Sequence, residues 1–122
     1  MKKHLGQSLI EVLIAMGLLV LNVSVITFLV LDVYLTDRIG REKMIATFLA
    51  KEGIEATKSV RDNNWNDLIN GEHGLVLTGN QWMFQGTEED ISGYLHKGTR
   101  KIIVEEIDSA KKKITSEINW EL

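Results

Sequence analysis

The sequence contains no cysteine and no proline, and its charge is close to balanced. Without cysteine there is no disulfide, no thiol nucleophile and no thiolate metal ligand, so a folded part must be stabilised by packing or by contacts with other subunits. Without proline, nothing in the sequence interrupts a long helix. The 14 basic and 17 acidic residues give a formal net charge of −3, which does not favour a general electrostatic attraction to nucleic acid.

What the sequence does contain is a long uncharged run. From Val12 to Leu31, 20 consecutive residues carry no charge and 16 of them are apolar. At a rise of about 1.5 Å per residue, a helix of this length crosses a hydrocarbon core of roughly 30 Å. A signal peptide has a shorter apolar core of roughly 7–15 residues, and the rest of this chain is too small to cover a buried helix on every side. The run therefore predicts one transmembrane helix.

Charges at the two ends of the run give it a direction. Lys2 and Lys3 precede it and Asp32 follows it, which favours a cytoplasmic amino terminus. Glu11 lies directly before the run, and an ionised carboxylate well inside a bilayer would cost on the order of 2.5–3.5 kcal/mol. Either this carboxylate lies in the headgroup layer, or another group neutralises it.

The residues around Glu11 follow a recognisable order. Lys2 and Lys3 come before Gly6, Gln7 follows the glycine, and Glu11 stands five residues after it. This order, with an uncharged run following at once, resembles the class III signal sequence of type IV pilins and pseudopilins. The resemblance implies that prepilin peptidase cuts between Gly6 and Gln7 and that the amino group of Gln7 is methylated. It also implies that Glu11 acts in assembly, by pairing with the amino terminus of a neighbouring subunit.

The resemblance carries expectations about the whole chain. Gln7 stands where major pilins commonly have Phe, which favours a minor pilin or a pseudopilin. The implied partners are other pilin or pseudopilin subunits, prepilin peptidase, an inner-membrane assembly platform and, before assembly, the lipid bilayer. The implied location is the bacterial cytoplasmic membrane, with the amino terminus inside, and then a cell-surface or periplasmic filament.

The helical pattern continues beyond the uncharged run. Apolar or small residues recur at spacings of three, four and seven, which is typical of one face of a helix. The members of this stripe are Leu35, Ile39, Ala46, Leu49, Gly53, Ala56 and Val60. Only Glu42 interrupts it, and Met44 and Phe48 point away from it. We expect one helix from Gln7 to about Val60, ended by the asparagines that follow.

After Trp65 the pattern changes from helix to strand. Leu75–Leu77 and Trp82–Phe84 flank Gly79-Asn80, which predicts a hairpin with a two-residue turn. Residues 101–108 and 113–122 read as two further strands. We therefore predict an α+β, pilin-like fold, with a long helix packed on an antiparallel meander of about four strands.

The predicted organisation has four parts. Residues 1–6 form a leader peptide, 7–31 a transmembrane and polymerisation helix, 32–62 an amphipathic stalk helix, and 63–122 a β head domain. The sequence does not choose among a pilus, a secretion system and a DNA-uptake apparatus.

Two groups of polar residues in the second half of the chain are candidate ligand sites. Glu88-Glu89-Asp90 is a candidate Ca²⁺ site, but its spacing matches no Ca²⁺ loop motif, and a solvated acidic turn is the favoured interpretation. His73 and His96 have no third ligand at metal spacing, so ordinary loop histidines are favoured. We expect no metal and no cofactor.

A small basic and aromatic patch is a third candidate. Lys97, Arg100 and Lys101 lie close to Tyr94, an arrangement conceivable as a DNA contact, although a charged start of a strand is the favoured interpretation. The chain has no paired nucleophile and base, no phosphate loop and no HExxH motif, so we expect no catalytic residues. Two alternatives to a filament subunit of ordinary type remain, namely an unprocessed single-pass anchor with a binding head and a tip adhesin or DNA-binding minor pilin.

Overall fold

A computed structural model describes the backbone of residues 2–122 and the side chains of residues 8–122. It contains one long helix, α1 (Lys2–Asn63), and a short 3-10 turn (Trp65–Asp67). Six strands follow: β1 (Gly71–His73), β2 (Leu75–Thr78), β3 (Gln81–Phe84), β4 (Glu89–Asp90), β5 (Thr99–Asp108) and β6 (Lys111–Asn119). The chain divides into two compact units, Met1–Ile39 and Gly40–Leu122.

The first unit consists of the amino-terminal part of α1. Every described side chain from Ser8 to Arg38 is exposed, and the apolar ones include Phe28 at 71% and Tyr34 at 74% exposure. An apolar surface of this extent is far larger than a water-soluble monomer normally exposes. The helix is long and apolar enough to cross a membrane, as the uncharged run predicted.

In the second unit, β5 is the central strand of a four-stranded antiparallel sheet. Its hairpin partner β6 lies on one edge, with Ile102 opposite Ser116. On the other edge β5 pairs with both β1, where Val104 lies opposite Gly71, and β4, where Arg100 lies opposite Glu89. One long strand thus connects three segments that are distant in the sequence.

The predicted hairpin is confirmed as a separate two-stranded sheet, β2 with β3. Its turn residues Gly79 and Asn80 both have positive φ, 57° and 63°. Such angles define the turn whose twist matches that of the two strands, and glycine and asparagine adopt them at least cost.

The prediction of a single meander of about four strands was wrong, because six strands form two sheets. The two strands that it lacked, β1 and β4, have only three and two residues. Such short segments show no alternation, and hydrogen bonds to β5 are what make them strands. The last strand also ends at Asn119, before the predicted limit, whereas the helix continues to Asn63.

The core of the second unit lies between α1 and the strands, and it confirms most of the predicted stripe. One cluster of buried residues comprises Ala46, Leu49, Ile91 and Leu95, with Ile118 and Trp120 packed against it. A second comprises Ala56, Leu75, Ile102 and Val104, with Trp82, Phe84 and Ile114 packed against it. Leu35 is an exception, since it is 61% exposed and belongs to the first unit.

At Gly53 the helix lies close against the side chains of the sheet. A Cβ atom at this position would lie 2.5 Å from Ser116 Oγ and 3.1 Å from Ile102 Cδ1. Because those distances are shorter than van der Waals contact, a side chain fits here only if the Ser116 and Ile102 side chains or the helix move.

Candidate functional site

The residues of the predicted processing and assembly site lie at the start of the chain. Gly6 and Gln7 fall outside the residues whose side chains are described. Glu11 is described, and it is exposed on α1 directly before the uncharged run. The neighbouring side chains of α1 are exposed in the same way, so the assembly role of Glu11 stays a prediction.

Three polar side chains within the uncharged run turn back onto their own helix. Asn22 Nδ2 donates to the Leu18 carbonyl at 2.7 Å. Ser24 and Thr27 donate their hydroxyls to the carbonyls four residues earlier, each at 2.8 Å. These hydrogen bonds lower the cost of placing the polar groups in hydrocarbon.

In the second unit, Arg100 is the most deeply buried charged residue among those the structure describes, at 2% exposure. Its Nη1 donates to Glu52 Oε1 and to the Leu49 carbonyl, both at 3.0 Å. Its Nε and Nη2 both lie 2.7 Å from Glu89 Oε2. The guanidinium carbon also lies 5.9 Å from the centre of the Trp82 ring, within the range of a cation–π contact. Arg100 therefore ties α1, β4 and β5 together.

Arg100 and Lys101 of the basic patch stand at the start of β5, in agreement with the favoured interpretation of a charged strand start. Arg100 is buried and held by two carboxylates, so it is not available to a ligand at the surface. Lys97 forms an ion pair with Glu121 at 2.9 Å, and Lys101 lies 3.4 Å from Glu72. The positive charges that suggested a DNA contact are thus balanced locally by acidic neighbours.

The three residues of the acidic tripeptide Glu88-Glu89-Asp90 have different surroundings. Glu89 pairs with Arg100, so it is not part of a purely solvated turn. Asp90 accepts a hydrogen bond from the Ser92 backbone N–H at 2.8 Å, and that bond lowers the pKa of the Asp90 carboxyl below its ordinary value. Glu88 and Asp90 are both exposed, whereas Glu89 is half-buried. Within residues 8–122, no three His, Cys, Asp or Glu side chains are grouped closely enough to hold a metal ion.

The two candidate histidines have structural surroundings. His73 stacks on Phe84, with ring centres 4.4 Å apart and an interplanar angle of 6°, and its Nε2 lies 2.5 Å from the Ile69 carbonyl. The His96 backbone carbonyl accepts the N–H of Glu121. His96 lies in a turn, as predicted for a loop histidine, whereas His73 is the last residue of β1 and so is not a loop residue.

Glu42, which interrupts the predicted stripe, also has a structural contact. Its Oε2 accepts a hydrogen bond from Trp120 Nε1 at 3.3 Å. The indole N–H loses its contact with water when the ring packs against the core, and the Glu42 carboxylate supplies an acceptor in place of that water. A charged residue on the buried face is therefore explained by the tryptophan that covers it.

An apolar groove lies on the surface of the second unit, with a volume of about 360 Å³. Met44, Phe48 and Tyr94 line it and are 72%, 66% and 69% exposed. The exposure of Met44 and Phe48 confirms that both point away from the buried stripe. The groove has one carboxylate at its rim, that of Glu52.

Sequence alone missed the Arg100 cluster, although one signal was present. Arg100, Ile102 and Val104 occupy every second position of β5 and therefore share the face that is turned to the core. A charge at such a position requires buried partners, and acidic residues stand on both neighbouring elements. Comparisons with known proteins add no further assignment, since no family model matches the chain and neither the curated proteins nor the solved structures contain a significant match.

Proposed function

We propose that the chain is a structural subunit of a type IV pilus or of a related type II secretion or competence pseudopilus. The observation that carries the proposal is the order Lys2-Lys3, Gly6, Glu11 directly before 20 uncharged residues. A single helix that continues from this run into a sheet-covered segment supports the same proposal, because a pilin-like fold has that order of elements.

In this proposal the amino-terminal helix changes its surroundings once. It first lies in the bacterial cytoplasmic membrane, with its amino terminus inside, and prepilin peptidase cuts between Gly6 and Gln7. The inner-membrane platform then moves it from lipid into a bundle of like helices, where helix packing replaces lipid contacts. Pairing of Glu11 with the amino group of a neighbouring Gln7 offsets the cost of burying both charges.

The first test is the mass of the native amino terminus. The proposal expects a mature chain that begins at Gln7, with or without a methyl group. A Gly6→Val variant is expected to keep its leader, whereas Gly17→Val, a matched change inside the run, is expected to be processed normally. A wild-type chain that keeps Met1 in a host with active prepilin peptidase contradicts the proposal.

The second test concerns Glu11. Glu11→Ala and Glu11→Gln are expected to enter the membrane and to be processed, but to enter filaments severalfold less, because the amino terminus of the neighbour loses its partner. The amount in purified filaments, measured relative to the amount in membranes, checks this. Asp32→Asn removes the acid at the other end of the run and serves as the matched control. Normal incorporation of Glu11→Ala would refute the assembly role.

A second candidate is an unprocessed single-pass anchor that presents a binding head. The apolar groove at Met44, Phe48 and Tyr94 favours it, since exposed apolar grooves commonly contact other proteins. Retention of Met1 in the mass measurement supports this candidate over a filament subunit. A DNA-binding tip subunit is less favoured than the filament subunit or the anchor, because Lys97, Arg100 and Lys101 are each paired with an acidic neighbour.

A further inference from the structure

Asn22 lies at the middle of the uncharged run from Val12 to Leu31. At about 1.5 Å per residue, roughly 15 Å of helix separates it from either end of the run. If the run spans a membrane, the Asn22 carboxamide lies near the bilayer centre. A polar group is most costly at that depth, because no water is present there to satisfy it.

The hydrogen bonds of the run leave Asn22 only partly satisfied. Ser24 and Thr27 each have one O–H, and each donates it to a carbonyl of the preceding turn. Asn22 has two amide N–H groups and a carbonyl oxygen, and it uses one N–H on Leu18. Among residues 8–122, the structure provides no partner for its second N–H or its amide oxygen.

We propose that the Asn22 carboxamide joins two copies of this chain as a parallel pair of helices in the membrane. A carboxamide is both donor and acceptor, so two of them satisfy each other. Two copies inserted in the same direction place Asn22 at the same depth, and no other polar protein is needed. The inference rests on the membrane span of the proposed function. It adds a contact between two membrane-inserted copies that forms before filament assembly.

The helical repeat defines the face that such a pair would use. Ala15 precedes Asn22 by seven residues and Leu29 follows it by seven, so all three lie on one side of α1. Ala15 is small and permits close approach of a second helix. Leu13 and Leu31 lie at similar depths to Ala15 and Leu29 but on the opposite side.

The absence of cysteine from the sequence makes disulfide crosslinking a clean test. Full-length chains with one introduced cysteine are oxidised in native membranes, and the fraction of disulfide-linked dimer is measured. Ala15→Cys and Leu29→Cys are expected to form the dimer. Leu13→Cys and Leu31→Cys, their controls at matched depth, are expected to form little.

Removal of the carboxamide tests its role directly. Asn22→Leu is expected to weaken self-association about three- to tenfold, as measured by energy transfer between labelled full-length chains in lipid vesicles. Thr27→Leu is the matched control and is expected to leave self-association unchanged, because its hydroxyl is already satisfied. Asn22→Gln, which keeps both donor and acceptor, is expected to restore part of the association.

The failure of this inference can be distinguished from the failure of the proposed function. Equal crosslinking on both sides, an unchanged association of Asn22→Leu, or crosslinks only to other proteins would overturn the paired helices. A monomeric but membrane-inserted wild type overturns the pair and leaves the filament proposal intact. Extraction of the wild type by alkaline carbonate overturns the membrane span itself, and with it both proposals.

Discussion

Arg100 places a full positive charge in the interior between α1 and β5. Two carboxylates and the Leu49 carbonyl receive its N–H groups, so the cost of burying the charge is offset only while all of them remain in place. The two carboxylates differ in their exposure to water, since the Glu89 side chain is 24% exposed and the Glu52 side chain is 38% exposed. The more exposed of two ion pairs contributes less, because water screens it.

This difference predicts an order of destabilisation among single substitutions. Arg100→Met is expected to lower the free energy of unfolding by about 3 kcal/mol, because two carboxylates lose their partner. Glu52→Gln is expected to cost less than about 1 kcal/mol, with Glu89→Gln between them. Denaturant unfolding of the full chain in detergent micelles measures these values. If Glu52→Gln lowers the free energy of unfolding as much as Arg100→Met does, the Glu52 ion pair is not the weaker of the two.

At the scale of elements, the packing of α1 on the sheet depends on one position without a side chain. Gly53 lies against Ser116, whereas a Cβ atom at Gly40, in the same helix, would meet nothing within 4 Å beyond its own stretch of helix. Gly53→Val is expected to lower the free energy of unfolding by about 1–3 kcal/mol through overpacking. Gly40→Val is expected to be neutral or slightly stabilising, because valine favours a helix more than glycine does. Equal effects of the two substitutions in micelles would contradict the close approach.

The same scale shows why some elements were predictable and others were not. The stripe from Ala46 to Val60 and the hairpin at Gly79 repeat with the periods of helix and strand, and local sequence is enough to read them. β1 and β4 exist through hydrogen bonds to β5, about 30 and 10 residues away. The partners of Arg100 lie 48 and 11 residues distant, so a single sequence cannot pair them. The site at Gly6, Gln7 and Glu11 stays a prediction, based on a resemblance.

At the scale of the whole molecule, two units with different surfaces share one chain. The first exposes apolar side chains along its described length, whereas the second buries a set of them, including Ile102 and Val104, against its own strands. A charge in the middle of the first unit is therefore expected to disturb membrane insertion. Val20→Arg should cost about 2.5–3.5 kcal/mol at the centre of a spanning helix, and alkaline carbonate extraction measures the loss.

Thr47→Arg is the control for that prediction. Thr47 is exposed on the same helix but lies in the second unit, so the added charge should leave membrane retention unchanged. If Val20→Arg is retained as well as the wild type, the uncharged run does not span the bilayer.

The contact between Trp120 and Glu42 joins residues 78 positions apart, and it has a consequence for the order of folding. Residues near position 120 complete the packing on the helix around Ala46 and Leu49. The second unit therefore cannot close its core during synthesis, and it must fold after β6 and Trp120 have emerged. Contacts of such long range make folding slow. Until then the apolar side chains of that core, among them Ala46 and Leu49, remain uncovered and accessible to proteases and to partners that bind unfolded strands.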